Sequence, residues 1–329
     1  MIFLGQAVRS ALLLAGCATL FALNPRPLQA QDFTGKPIRI IVGLAAGGAT
    51  DVTARMIAQK LSESLRTSVF VENRAGGIFV PALKELTISQ ADGHTLFMIS
   101  TSTVVTQPLH PDYPFDLRSL TAITEVASGP LILVARKDLP IKSIAELTAY
   151  AKKNPGKLTF GSGGGTGSSL YLATEMLKLK TGIALTHVPY KGASAALNDL
   201  LGGHIDLMFD AMPVMVEQVN AGKVTALAVT SAQRSPAVPE VPTTAQAGVP
   251  DFEVVQYFGL FAPPNTPPAI AKRLRDEVAR AVAQPDVRAA LDKQGMEPRG
   301  TEPEQWSDYI KVELDRWGKL IKEAGIKPE

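Results

Sequence analysis

Two glycine-rich stretches hold the residues whose types and spacing suit chemistry on an anion: "GLAAGGATD" (Gly43 to Asp51) and "GSGGGTGSS" (Gly161 to Ser169). Each presents backbone N–H groups beside hydroxyls, the combination that cradles negative charge at a helix start. From Gly43 to Thr50 the first reads G-x-x-x-x-G-A-T. The position that a phosphate-binding loop fills with Lys is Ala49, so the cation for the β- and γ-phosphates is missing. What remains is an uncharged cradle made by the N–H groups of Gly47, Gly48 and Ala49 and the Thr50 hydroxyl, better matched to a carboxylate. The same residues also suit an ordinary strand–helix turn, with Thr50 as N-cap and Asp51 facing the helix dipole. The second stretch fits neither G-x-G-x-x-G nor G-x-S-x-G, and no acidic residue follows at ribose-binding distance. Its five glycines and four hydroxyl residues make either a flexible loop or an anion nest. Close approach to a ligand would explain the entropic cost of so many glycines.

A third group is Ser100, Thr101 and Ser102 with Asp210, at the ends of two expected strands. The hydroxyls could donate to a ligand. Asp210 could orient water, accept from a ligand hydroxyl or amine, or serve as a cap or hinge. His94, His110, His187 and His204 are scattered without metal-ligand spacing, and no Ser-His-Asp order has a supporting local motif. No metal, no cofactor and no catalytic residue is expected.

These residues need elements to position them. Short apolar runs bounded by turn residues predict strands at Ile38–Leu44, Ser68–Glu72, Thr95–Ser100, Leu131–Arg136, Leu158–Gly161, Leu185–Pro189, Ile205–Phe209, Ala226–Thr230 and Gly259–Ala262. Helical patterns lie between them: Asp51–Leu65, with Val52, Met56, Ala58 and Leu61 on one side, then Ser168–Leu179 and Ala193–Leu201. Two C-terminal helices follow, Pro268–Ala283 and Glu302–Ala324, the latter with Thr301 as N-cap. The alternation is that of an α/β protein with largely parallel sheets.

A weak internal repeat organises the chain. Each half reads strand, glycine loop, helix, strand, a basic residue before glycine, helix, strand. Two such halves predict two lobes, with both glycine loops at strand C-termini lining a shared cleft. The boundaries expected are 31–133 plus 255–329 for a discontinuous first lobe and 134–254 for the second.

Length and composition agree with this. The 329 residues suffice for two domains, and a formal net charge of +2 without a Lys/Arg-rich run excludes a nucleic-acid partner. Residues 1–30 differ from the rest: Arg9, then the apolar "ALLLAGCATLFAL", then "NPRPLQAQ". This is the order of a secretory signal peptide cleaved near Ala30, and it predicts a periplasmic protein. The sole cysteine, Cys17, ends "LLAGC", which leaves a lipoprotein signal as the alternative. If residues 1–30 are removed, no cysteine remains for a disulfide or thiol chemistry.

Taken together, "AAGGATDVTARMIAQKL", "VFVENRAGG", "ADGHTLFM", "LTFGSGGGTGSSLYLATEMLK", "HVPYKGASAALNDLLGGHIDLMFD", "GKVTALAVTSAQRS", "VPTTAQAGVPDFE" and "FGLFAPPNTP" resemble the solute receptors of tripartite tricarboxylate transporters, the Bug family. The resemblance covers nearly all of Asp32–Glu329. It implies a two-lobed periplasmic-binding-protein fold of the type II, venus-flytrap kind, each lobe a mostly parallel sheet flanked by helices. It implies a monomer that is not an enzyme, captures a small organic carboxylate and delivers it to integral membrane permease subunits. A sensory role, in which the closed receptor docks on a membrane kinase, is the alternative, with an enzyme on the same fold a further one. Carried onto this chain, the ligand-binding residues would be Leu44, Ala46, Gly47, Gly48, Thr50 and Asp51, then Ser162, Gly163, Gly165, Thr166 and Ser168, with Ser100, Thr101 and Asp210 at the strand ends. Three departures stand out. Leu44 replaces a frequent aromatic, Ala49 a frequent Pro, and "AGGIFVPALKEL" is poorer in glycine than its counterparts, so Phe79 could either line the cleft or pack the lobe.

Overall fold

A computed structural model describes Phe33 and residues 35–327. The expected signal peptide, its cleavage site and Cys17 lie outside the described residues.

The described residues build one sheet of ten strands. The first part is parallel: β1 (Ile38–Val42) lies between β2 (Val69–Asn73) and β3 (Thr95–Ser100). β9 (Val255–Ala262) then pairs antiparallel with β3 and with β4 (Thr121–Arg136). β4 changes partners along its length. Thr121 to Pro130 face β9, whereas Leu131 to Arg136 face β7 (Leu207–Ala211) and β8 (Val224–Val229). Beyond β7 the sheet is parallel again through β5 (Thr159–Gly163) to β6 (Thr186–Tyr190). The two-residue β10 (Glu297–Pro298) edges β4.

At the switch the chain crosses twice, through Pro130–Leu131 and through the connection from β8 to β9. Thr230 joins the two crossings. Its hydroxyl accepts from the Leu131 N–H at 2.8 Å and lies 2.6 Å from the Val254 carbonyl.

Helices cover both parts: α1 (Ala49–Leu65), α2 (Val80–Ile88), α3 (Thr101–Leu109), α4 (Ile144–Lys153), α5 (Ser169–Thr181), α6 (Ala193–Leu201) and α7 (Met212–Asn220). α8 (Pro268–Ala283) returns to pack on α1 and β4, and α10 (Pro303–Ala324) on α3 and β4, with α9 (Pro285–Lys293) between them in sequence. The C-terminal helices therefore complete the part of the molecule that the first strands begin.

Several boundaries differ from the expectation, each for a physical reason. α1 starts at Ala49 with Gly48 as N-cap, so Thr50 is inside the helix rather than its cap. Its buried stripe is Ala54, Ile57, Ala58, Leu61 and Leu65, rotated from the one expected and leaving Val52 and Met56 half-buried. α10 is capped by Glu302, whose backbone N–H is met by Gln305 in a reciprocal capping box, and not by Thr301. Thr301 accepts instead from the Glu125 N–H of β4 at 3.0 Å. Ser100 ends β3, but Thr101 and Ser102 begin a helix.

Candidate functional site

The C-terminal ends of β1, β3, β5 and β7 converge on a cavity of about 30 Å³, room for a water molecule or two. From the first part of the sheet come Leu44, Gly48, Thr50 and Asp51 of the first glycine loop, and Ser100 and Ser102 at the β3–α3 junction. From the second come Gly163, Leu170, Ala193 and Asp210. Gln256 and Phe258 of β9 close the floor. No Lys, Arg or His is among these lining residues. Leu44 also lines an outer chamber of about 290 Å³, formed with Ile78, Phe79, Gly165, Thr166, Tyr190 and Lys191. Leu44 thus borders both chambers. Phe79 is buried and lines the outer one, with its ring pressed on Gly43.

The first loop is held from behind by Asp51. Its Oδ2 accepts from the Gly47 N–H and from Arg55 Nε, both at 2.9 Å, and its Oδ1 accepts from Asn73 at 3.0 Å. Desolvation pushes this carboxyl up, but the bonds from Arg55, Gly47 and Asn73 together leave its pKa below the usual carboxylate value. Gly47 therefore gives its donor to Asp51. Ala46 offers its carbonyl to the Ser194 hydroxyl at 3.1 Å. The amides of the first helical turn, Ala49 to Asp51, lack intrahelical partners by geometry and belong to residues at the cavity wall.

The second loop is tied within itself. Ser162 Oγ lies 2.7 Å from His187 Nε2 and 3.1 Å from the Gly165 carbonyl. Ser168 caps α5, accepting from the Tyr171 N–H at 3.1 Å and donating to Gly165 O at 2.8 Å. Both serines are fully buried and neither lines the cavity. Gly163 does line it, and only glycine fits: a Cβ there would lie 2.3 Å from the Ala193 nitrogen. Thr101 faces away, bonding the Val255 carbonyl at 3.1 Å and the Tyr257 N–H at 3.0 Å, and so fixes the start of β9.

The two sides touch directly. Ser102 Oγ is 3.1 Å from Ser169 Oγ and accepts from the Ser169 N–H at 3.1 Å. Thr106 Oγ1 lies 2.8 Å from the Gly167 carbonyl. Gly192 packs on Ala45.

Asp210 is nearly fully buried. Its Oδ1 accepts from the Ala211 N–H at 2.7 Å, while its Oδ2 has no hydrogen-bond partner. Burial pushes its pKa up to about 7, opposed only by that backbone bond.

Sequence reasoning missed Gln256, Phe258, Leu170 and Ala193. Gln256 is buried in β9, and its Oε1 accepts from Ser169 at 3.1 Å. A lone Gln within an apolar strand is the one signal that was there to read. Among the described residues no group of three or more His, Cys, Asp or Glu converges, and no helix is long and apolar enough to cross a membrane.

A mixed α/β sheet crossed twice at its centre, with a cleft at the strand ends lined from both sides, is the periplasmic-binding-protein fold. Over residues 53–326 the chain matches the tripartite tricarboxylate transporter family receptor profile, and it belongs to that family. The protein BugT of Bordetella pertussis is 36% identical over 304 residues, 92% of this chain and 93% of that one. A Rhodopseudomonas palustris protein solved with adipate superposes with a TM-score of 0.85 at 34% identity, covering 91% of this chain and all of the other. MatC of the same organism, solved with bound malate, gives 0.82 at 31% identity over 88% of this chain and all of its own.

Proposed function

We propose that the chain is a periplasmic receptor that closes on a small organic carboxylate and hands it to a membrane transporter. The observation that carries this reading is a buried cavity at the N-terminus of α1, lined by Gly48, Thr50, Asp51 and Ser100 and by no cationic side chain. Such a site holds an anion through amides, hydroxyls and the helix dipole. Relatives of the same fold solved with adipate and malate support the ligand class. The transporter as partner follows from the family, and residues 1–30 would export the protein.

Capture works by closure of two lobes, 31–133 plus 255–329 and 134–254, about the crossings stapled by Thr230. Closure brings Leu44, Gly48, Thr50 and Asp51 against Gly163 and Asp210 across the ligand. Ala46, Gly47, Ser162, Gly165 and Ser168 shape the two loops, Thr101 fixes the start of β9, and Thr166 faces the outer chamber. Ligand binding favours the closed form by its differential affinity for it.

Thermal unfolding against a panel of carboxylates, their amides and simple amines tests the reading. An acid at about 100 times its dissociation constant adds ~2.7 kcal/mol, a shift of several degrees. Equal shifts for an acid and its amide, or shifts only for amines, would refute it.

A further inference from the structure

The cavity pairs a ligand class with a residue that opposes it. Two carboxyls line it, Asp51 and Asp210, and no cation. Asp51 is satisfied by Arg55, Asn73 and Gly47. Asp210 has an oxygen, Oδ2, with no partner, in a cavity wall at the end of β7. An ionised Asp210 at ~4 Å from a ligand carboxylate would oppose binding, because no cationic side chain lines the cavity to offset the repulsion.

Charged groups on the neighbouring elements do not relieve this. On β4, Arg136 is engaged by Asp206 and Asp138. On α5, Glu175 pairs with Lys178, and Lys180 reaches the Pro250 carbonyl. Asp199 of α6 accepts from the Tyr190 hydroxyl, and Glu217 of α7 is exposed. Across the cleft Asp51 is the one charged residue that α1 contributes to the cavity wall. Tyr171 of α5 is buried and His187 of β6 lies against Ser162, both outside the lining.

We propose that Asp210 binds the ligand as a neutral acid, donating its proton to a ligand carboxylate, so that capture of the anion takes up a proton from solvent. The proposal rests on the carboxylate-receptor reading and adds the residue that sets its charge balance. No bond to carbon changes: solvent supplies the proton, Asp210 Oδ2 carries it, and the ligand oxygen accepts a short, charge-assisted hydrogen bond. Burial without a counter-charge pushes the Asp210 pKa up to about 7, so that about half of these carboxyls keep their proton near neutral pH and a bound anion shifts the balance further toward the acid. A receptor built this way prefers acids over their amides without using any cation. It also discriminates against amines, which would need Asp210 ionised.

Calorimetric titration of the protein with adipate, malate and benzoate, and with 1,4-diaminobutane as an amine, in buffers of differing ionisation enthalpy, tests this. Between about pH 6 and about pH 8.5 the wild type should take up a growing fraction of one proton per ligand, and its affinity should fall up to tenfold per pH unit above the carboxyl's own pKa. Asp210→Asn, whose amide donates at every pH, should lose both the proton uptake and the pH dependence of affinity. The wild-type proton uptake stands as a readout even if the variant does not fold. Acids that bind without proton uptake would overturn the proposal and leave the receptor reading intact. A panel in which no acid binds and an amine does would overturn both.

Discussion

Gly192 provides a direct test of closure. It is the N-cap of α6 with φ −168°, extended backbone that any residue adopts. A Cβ added there would lie 2.8 Å from the Ala45 Cβ on the opposite wall, where ordinary contact begins at 3.4 Å. The two backbones must part by about 0.6 Å if Gly192→Ala is to keep the closed form. Overpacking of that kind costs ~1–3 kcal/mol. The open form carries no such cost, so the penalty falls on ligand affinity, a loss of roughly 5- to 150-fold. Ligand-free stability should stay within about 0.5 kcal/mol of wild type, as for a surface change. Gly163→Ala is the contrast. Its Cβ would strike the Ala193 backbone nitrogen at 2.3 Å and the Gly192 carbonyl carbon at 2.8 Å, contacts within the proposed second lobe that its opening would not relieve. That variant should lose several degrees of melting temperature without ligand. Calorimetry with an acid from the thermal panel gives the affinities, and small-angle scattering gives the fraction closed. Wild-type affinity in Gly192→Ala, or equal ligand-free destabilisation of the two variants, would refute the argument.

Three further outcomes are expected. Asp51→Asn should destabilise the protein by ~1–3 kcal/mol at neutral pH, through loss of charge-assisted bonds to Gly47 and Arg55. Because the Asp51 pKa is lowered on folding, its contribution is full above the ordinary carboxylate pKa and is lost as pH falls through the lower folded value. Acid melts of the variant and the wild type should therefore converge at low pH. Asp210 has the opposite sign: raised from 3.8 to about 7, it makes the wild type progressively less stable as pH rises between those values, by on the order of 4 kcal/mol in total. Asp210→Asn should thus match wild type near pH 4 and exceed it at neutral pH in ligand-free melts, whereas a variant less stable at every pH would contradict the isolated carboxyl. Leu44→Ala should join the two chambers and shift preference toward longer or bulkier acids, read as a changed rank order in the thermal panel, and an unchanged order would show that Leu44 is no partition.

Much of the frame was legible because its signals are local. The strand Thr95–Ser100 and the helices Ala193–Leu201 and Pro268–Ala283 were read to the residue, each an apolar pattern with clear punctuation. The first ten residues of β4 were not. "TAITEVASGP" ends in Gly-Pro, which reads as a break, yet Pro130 is where the strand changes partners and a missing N–H does little harm. "TSTVVT" after Ser100 is rich in β-branched residues and reads as strand, but it forms α3, so tertiary packing against α10 overrides propensity. The isolation of Asp210 was out of reach, since the absence of a counter-charge is a property of distant segments folded together.

The two glycine loops were readable as a cradle, but the division of labour within them was not. Their hydroxyls and Asp51 suggested groups aimed at a ligand. Ser162 and Ser168 instead tie the Gly165 carbonyl, and Asp51 tethers Gly47, with Arg55 on its outer side. Each loop is thereby fixed before a ligand arrives, which lowers the ordering cost of binding. On the reading proposed here, that leaves recognition to main-chain amides at the helix start, to Ser100 and to Asp210, while Ser102 is engaged by Ser169. A receptor that must later surrender its ligand gains from this arrangement. On the proposed reading, loss of a single proton from Asp210 turns a donor into a repelling charge, which favours release.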